Sequence, residues 1–221
     1  NDLVDQCELY YECIKYYANI LTPFSSLVEK KISEILSMNM PIEIIAPSHG
    51  VIWRQNPEQI VTKYLEWSRD YQENQVTIVY DSMWGGTKIM AENIALDIKE
   101  ANGALTVKLL NASVTDKNDI VTEVFKSKLL LLGSPTINRG IMVSIAGICE
   151  GIEGLRFKNK KAASFGCYGW SGESVPKMNE LLKKANFNLV DDGLLCLWNP
   201  DEESIQKCVS FGKEIVKKMI N

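Results

Sequence analysis

From Val76 onward the chain alternates five short apolar runs with five stretches of helical periodicity, a rhythm that few folds accommodate. The runs are Val76–Tyr80, Leu105–Leu110, Lys128–Gly133, Lys161–Phe165 and Leu189–Leu197. The periodic stretches are Thr87–Ala101, Asp116–Lys126, Gly140–Gly151, Ser174–Ala185 and Asp201–Ile220. The run "KLLLLG" at Lys128–Gly133 is apolar on both faces, as expected of a central strand in a parallel sheet. Strand and helix repeated in this way predict an α/β fold: a doubly wound, five-stranded parallel sheet. Its crossovers are right-handed, and ligands bind at the carboxyl ends of its strands.

The first seventy residues follow another pattern. Tyr10, Ile14, Tyr17 and Leu21 share one helical face, and "TPF" at Thr22 to Phe24 supplies a cap and a Pro that restart the helix. Leu27, Ile32, Ile35 and Leu36 form a second stripe. Ile42 to Ala46 reads as a short buried strand. In "NPEQIVTKYLEW", Asn56 is the expected N-cap, Pro57 the first helical residue and Gln59 the end of a capping box, ahead of an apolar face of Ile60, Val61, Tyr64 and Leu65. Two or three helices and one strand cannot cover these faces, which predicts a piece of a larger domain. A start at Asn rather than Met points the same way. The polar stretch Arg69 to Gln75 is the expected linker, giving segments 1–72 and 73–221.

With 46% hydrophobic and 24% charged residues the chain reads as a soluble globular protein. A net charge of -4, with scattered lysines, argues against nucleic acid as a partner. Lys158, Lys160 and Lys161 are the densest basic group and read as a solvated turn. No run approaches the roughly 20 apolar residues that span a bilayer, so no membrane partner is expected. Six cysteines without a C-x-x-C pair suit reduced thiols in a cytoplasm.

Three loops carry the chemistry. In "IVYDSMWGGTKIMAENI" a strand ends at Tyr80 and a helix begins near Thr87. Free N–H groups and the helix's positive end would meet there, with hydroxyls from Ser82 and Thr87, and Gly85 and Gly86 would let the backbone approach a phosphate. The pattern is neither a Walker A loop nor G-x-G-x-x-G. The plainer alternative is a glycine-rich turn capped by Ser82. "GSPTINRG" offers Ser134, Thr136 and Asn138 around Pro135, and "FGCYGWSGES" offers Tyr168 and Trp170 among glycines. An exposed aromatic on such a loop can stack on a flat ring; alternatively, Trp170 folds back under its loop. Phosphate loop, stacking aromatics and amide donors together describe a site for flavin mononucleotide (FMN).

Ile78, Val79, Tyr80, Ser82, Gly85, Thr87, Ala91 and Ile94 fill a pattern that resembles the flavodoxin signature. "YDSMWGGT", "LGSPTIN" and "YGWSGE" together resemble the flavodoxin-like domain of flavodiiron proteins. "YYANILTPFS" and "IIAPSHGVIWRQNPEQIVTKYLEW" look like the end of that family's metallo-β-lactamase-like domain. Arg139 departs from the family, where a second amide is common, and the third flavodoxin helix lacks an early Pro. The resemblance implies strand order 2-1-3-4-5 after a partial metallo-β-lactamase-like α/β segment. It implies that Ser82, Met83, Trp84, Gly85, Gly86 and Thr87 wrap the ribityl phosphate, and that Ser134, Pro135, Thr136 and Asn138 flank the flavin ring. Cys167, Tyr168, Gly169, Trp170, Ser171 and Gly172 would close the other side, with Trp170 stacking.

His49, the only histidine, is by itself an ordinary loop residue; the resemblance makes it the last ligand of a di-iron centre. The family's other ligands would lie upstream, in a missing N-terminal half. The implied function is the electron-transfer half of an oxidoreductase that reduces dioxygen to water or nitric oxide to nitrous oxide. Implied partners are an external donor such as rubredoxin or a rubredoxin reductase, and a second copy in a head-to-tail homodimer. Alternatives are a flavodoxin-type electron carrier and an FMN-dependent quinone reductase. Neither needs the "PSHG" segment.

Overall fold

The computed structural model describes residues 1–220. The chain divides into two compact units, Asn1–Tyr71 and Gln72–Asn221, with the boundary inside the polar stretch Arg69 to Gln75.

In the first unit, α1 (Gln6–Tyr16) is capped by the Asp5 carboxylate, which accepts from the Glu8 N–H. The chain continues through a π-helical turn, Tyr17–Leu21, and a 3-10 turn, Thr22–Phe24, into α2 (Ser25–Ser37). Thr22 does not cap α2 as expected. Its hydroxyl donates backward to the carbonyls of Tyr17 and Ala18, and its N–H also donates to Tyr17 O, so the residue closes the π turn instead. The expected strand Ile42–Ala46 is reduced to one antiparallel bridge between Ile45 and Trp53, and Ile44 is exposed. α3 (Glu58–Ser68) begins one residue later than expected, with Pro57 rather than Asn56 at the cap: Asn56 adopts φ 47, and Gln59 Nε2 donates to the Asn56 and Gln55 carbonyls. Ile60 and Trp67 are its buried apolar contacts, and Tyr17 meets Tyr64 edge-on at 5.3 Å.

The second unit is the predicted doubly wound sheet. Its strands are β1 (Gln75–Tyr80), β2 (Thr106–Asn111), β3 (Leu129–Gly133), β4 (Lys161–Tyr168), β5 (Asn188–Leu189) and β6 (Leu194–Leu197). All pairings are parallel, in the order β2-β1-β3-β4-β5, with β6 also pairing β4. β3 lies between β1 and β4, and its four leucines are at most 1% exposed, as the two-faced apolar run requires. Burying each contributes about 1.5–3 kcal/mol. α4 (Gly86–Ala101) and α8 (Glu202–Ile220) pack together on one face, where Met90, Ile94, Ile98, Phe211 and Ile215 meet β1, β3 and β4. α5 (Lys117–Lys126), α6 (Val143–Leu155) and α7 (Ser174–Lys184) complete the helical layers.

Three expectations need correction. The fifth strand, expected as Leu189–Leu197, is broken into β5 and β6, because Asp191 accepts from Gly193 N and Gly193 takes φ 99. α6 starts at Val143, since Ile137 to Gly140 form a tight hairpin with Asn138 and Arg139 both at positive φ. Lys160 is not solvated: it is 3% exposed, and its ammonium donates to the carbonyls of Phe125 and Ser127. The Phe125 ring lies 5.6 Å away.

Candidate functional site

The carboxyl ends of β1, β3, β4 and β6 deliver four loops around a cavity of about 350 Å³. The first begins at Asp81, whose N–H donates to Gly133 O and holds the loop against β3. Asp81 is buried; one carboxylate oxygen accepts from Ser82 N at 2.7 Å, the other from the Ser144 hydroxyl at the start of α6. Ser82 Oγ accepts from Gly85 N at 3.0 Å, so this hydroxyl shapes the loop from within. Gly85 takes φ 89, which a side chain rarely tolerates, and turns the chain into α4.

Thr87, in the first turn of α4, is 1% exposed, and its Oγ1 has no hydrogen-bond partner. A buried hydroxyl left unpaired costs about 1–3 kcal/mol, and native structures rarely leave one without a reason. The first N–H groups of a helix also lack intrahelical partners and sit at its positive end. Gly86 is required by the packing around it: a Cβ there would lie 2.9 Å from both Asn199 Oδ1 and Cys167 Sγ. Neutral donors and a bare backbone are chemistry that fits a phosphate monoester.

The loop after β3 is braced from two sides. Ser134 is fully buried; its hydroxyl donates to Pro135 O and accepts from Met142 N, closing the segment between. Thr136 N donates to Cys167 O, and Thr136 Oγ1 accepts from Ser174 N, the first residue of α7. Pro135 and Thr136 line the cavity, whereas Asn138 sits exposed on the hairpin tip.

From the end of β4 and the loop after it, Cys167, Tyr168, Gly169 and Trp170 line the cavity, while Ser171 and Gly172 do not. Trp170 is 90% exposed and is not folded under its loop. Burial pushes the Cys167 thiol up to about 12, with the neighbouring Cys196 adding to the effect, so at neutral pH it is a space-filling, uncharged wall. Beside Ser171 and within the field of Arg139, the Glu173 carboxyl is held below its usual range, first through the Ser171 hydroxyl.

Sequence reasoning missed Trp198 and Asn199, which line the same cavity from the loop after β6. The available signal was positional: any loop leaving the carboxyl end of a strand in such a sheet faces the ligand crevice. Trp84 and Trp170 stand at the rim, 83% and 90% exposed.

His49 belongs to the other unit. It is exposed, its ring centroid is 5.9 Å from that of Tyr16, and it borders an apolar cavity of about 460 Å³ with Leu9, Tyr16, Ile32 and Trp53. That cavity is larger than the cleft at the sheet's carboxyl edge, but it brings no second imidazole near. Among the described residues no three His, Cys, Asp or Glu side chains cluster to hold a metal ion. No helix among them is long and apolar enough to cross a membrane.

Comparison with known proteins agrees with this geometry. The anaerobic nitric oxide reductase flavorubredoxin of Klebsiella pneumoniae subsp. pneumoniae is 50% identical over 218 residues, 99% of this chain and 45% of that protein. The rubredoxin oxygen:oxidoreductase of Desulfovibrio gigas superposes with a TM-score of 0.93 at 31% identity, covering all of this chain and 55% of that one. The flavodiiron protein from Giardia intestinalis gives 0.90 at 30% identity, over 99% and 54% respectively. The chain thus spans about half the length of these relatives. The sequence model of the Flavodoxin family matches residues 78–212, from within β1 into α8, and by that match over more than half of its length the chain belongs to the flavodoxin family.

Proposed function

We propose that this chain is the FMN-binding, electron-transferring part of a flavodiiron oxidoreductase that reduces nitric oxide to nitrous oxide, dioxygen to water, or both. The observation that carries the reading is the unpartnered Thr87 hydroxyl, buried at the head of α4 and lining the same cavity as Trp170. When bound, FMN supplies transfer of electrons singly or in pairs. Thr87 Oγ1 and the free N–H groups of α4 hold the phosphate with neutral donors. Ser82 keeps the loop in shape, Pro135 offers a rigid wall and Trp170 offers a face for stacking. Met83, Trp84, Gly86 and Tyr168 complete the enclosure, and Gly85 turns the chain into α4 behind it.

In this reading residues 1–72 are the C-terminal portion of a metallo-β-lactamase-like domain, and 73–221 are the flavodoxin-like domain. The first unit leaves Phe24, Leu27, Met40, Ile44 and Ile52 more than half exposed, apolar surface that a larger domain would cover. The residues present do not themselves build a di-iron centre. His49 is the sole histidine, and the reading gives it the role of one iron ligand whose companions lie on sequence beyond this chain. The exposed Trp84 and Trp170 suit a docking face for the metal-bearing half of a second copy, with rubredoxin or a rubredoxin reductase as donor. Six free thiols suit a reducing cytoplasm.

Titration of the purified chain with FMN is the test. Stoichiometric quenching of flavin fluorescence supports the reading, and a chain that leaves FMN free overturns it. The iron assignment is checked separately, by iron content of the protein with its upstream half restored. His49→Ala should lower that content.

A further inference from the structure

The loop from β6 to α8 lines the cleft through Trp198 and Asn199, and its backbone is held in an uncommon state. Trp198 has φ 57, a left-handed conformation that costs a side-chain-bearing residue conformational energy. Glycine would sit there without strain, yet a tryptophan occupies the position. Both ends of the loop are fastened: Trp198 N donates to Tyr168 O at 2.7 Å, and Asp201 Oδ1 accepts from Ser204 N at 2.9 Å in the first turn of α8. Held this way, the Trp198 ring lies against Gly169, where a Cβ would come within 2.8 Å of Cζ3. It meets the Trp170 ring edge-on, centroids 5.2 Å apart and planes at 72°.

We infer that Trp198 is a positioning residue that holds the Trp170 ring upright for stacking on FMN; the inference rests on the FMN reading above. Trp170 projects from a glycine-flanked loop and is 90% exposed, so without a brace its side chain is free to change rotamer. A stacking residue that must be ordered on binding weakens the ligand's affinity by the cost of immobilising it. The edge-on contact supplies that order in advance, and the strained turn at Trp198 is what aims the ring.

Trp198→Gly is the discriminating substitution, because it removes the ring while suiting the backbone. Expected is a loss of FMN affinity of about two- to tenfold, the scale of ordering one side chain. Melting of the cofactor-free chain should be preserved or raised. The same substitution in a Trp170→Ala background should cost nothing further, since the brace has nothing left to hold. Unchanged affinity in Trp198→Gly overturns the inference, and so does an equal loss with or without Trp170, which would mark a merely structural role. Failure of the unsubstituted chain to bind FMN is a different result: it would sink the FMN reading itself.

Discussion

Asp81 and Ser144, 63 positions apart, are joined by a side-chain hydrogen bond that ties the loop after β1 to the first turn of α6. The other oxygen of the same carboxylate holds Ser82 N. One buried acid therefore sets the shape of the loop after β1 and its distance from the neighbouring helix. Asp81→Ala should cost about 1.5–3 kcal/mol of stability, the range for a hydrogen bond to a charged group. Ser144→Ala should cost less and weaken FMN binding only a few-fold. Urea unfolding and FMN titration check both; equal stability of Asp81→Ala and the parent would show that the tie carries no weight.

Thr87→Val separates binding from folding at one atom. The hydroxyl has no partner in the chain, so its loss should leave the cofactor-free protein as stable as before or slightly more so. FMN affinity should fall roughly ten- to a hundredfold, as a hydrogen bond to a charged phosphate is worth about 1.5–3 kcal/mol. A variant that binds FMN as tightly as the parent would remove Thr87 from the site.

Gly166 and Gly147 should respond to alanine with opposite signs. A Cβ at Gly166 would lie 1.9 Å from Ser134 O, across two packed strands, so Gly166→Ala should cost about 3 kcal/mol or more. Gly147 lies within α6 with nothing inside 4 Å of the added carbon, so Gly147→Ala should gain about 0.5–1 kcal/mol. Denaturation midpoints of the two variants decide the matter.

Alkaline pH should unfold the protein earlier than its acids would suggest. Burial pushes the thiols of Cys149, Cys167 and Cys208 up to about 12. The unfolded chain ionises them near the ordinary value of 9, so it releases protons first as pH rises. Their contribution is fully present below about pH 9 and is lost as pH climbs toward 12. At pH 10.5 the loss is on the order of 2 kcal/mol per thiol before any relaxation. Urea midpoints at pH 7.5 and 10.5 measure it, and Cys149→Ala should shrink the difference. A midpoint indifferent to this change of pH would contradict the burial of these groups.

Much of this was legible in the residues. A run such as Leu129–Leu132, apolar on both faces, can be satisfied only between two layers, and it is the central strand. The glycines and hydroxyls after Tyr80 foretold a helix starting at a bare loop, and α4 begins at Gly86. The departures have two causes: local turn signals passed over inside apolar stretches, and side chains claimed by distant contacts. Asp191 and Gly193 were turn residues in plain view, yet the apolar stretch around them read as one strand. Lys160 looked solvated because its partners, the carbonyls of Phe125 and Ser127, lie more than thirty positions away. Trp198 and Asn199 carry no motif of their own, and only the sheet brings them to the cleft.

The break between β5 and β6 has a bearing on solubility. An uninterrupted strand from Leu189 to Leu197 would present a long row of unpaired peptide groups at the margin of the sheet, beside exposed Leu195 and Leu197. Such a margin invites a strand from a neighbouring molecule to zip onto it. Two stubs of two and four residues, offset by a turn built on Asp191 and Gly193, offer no such template. The kink thus guards the chain against edge-to-edge aggregation.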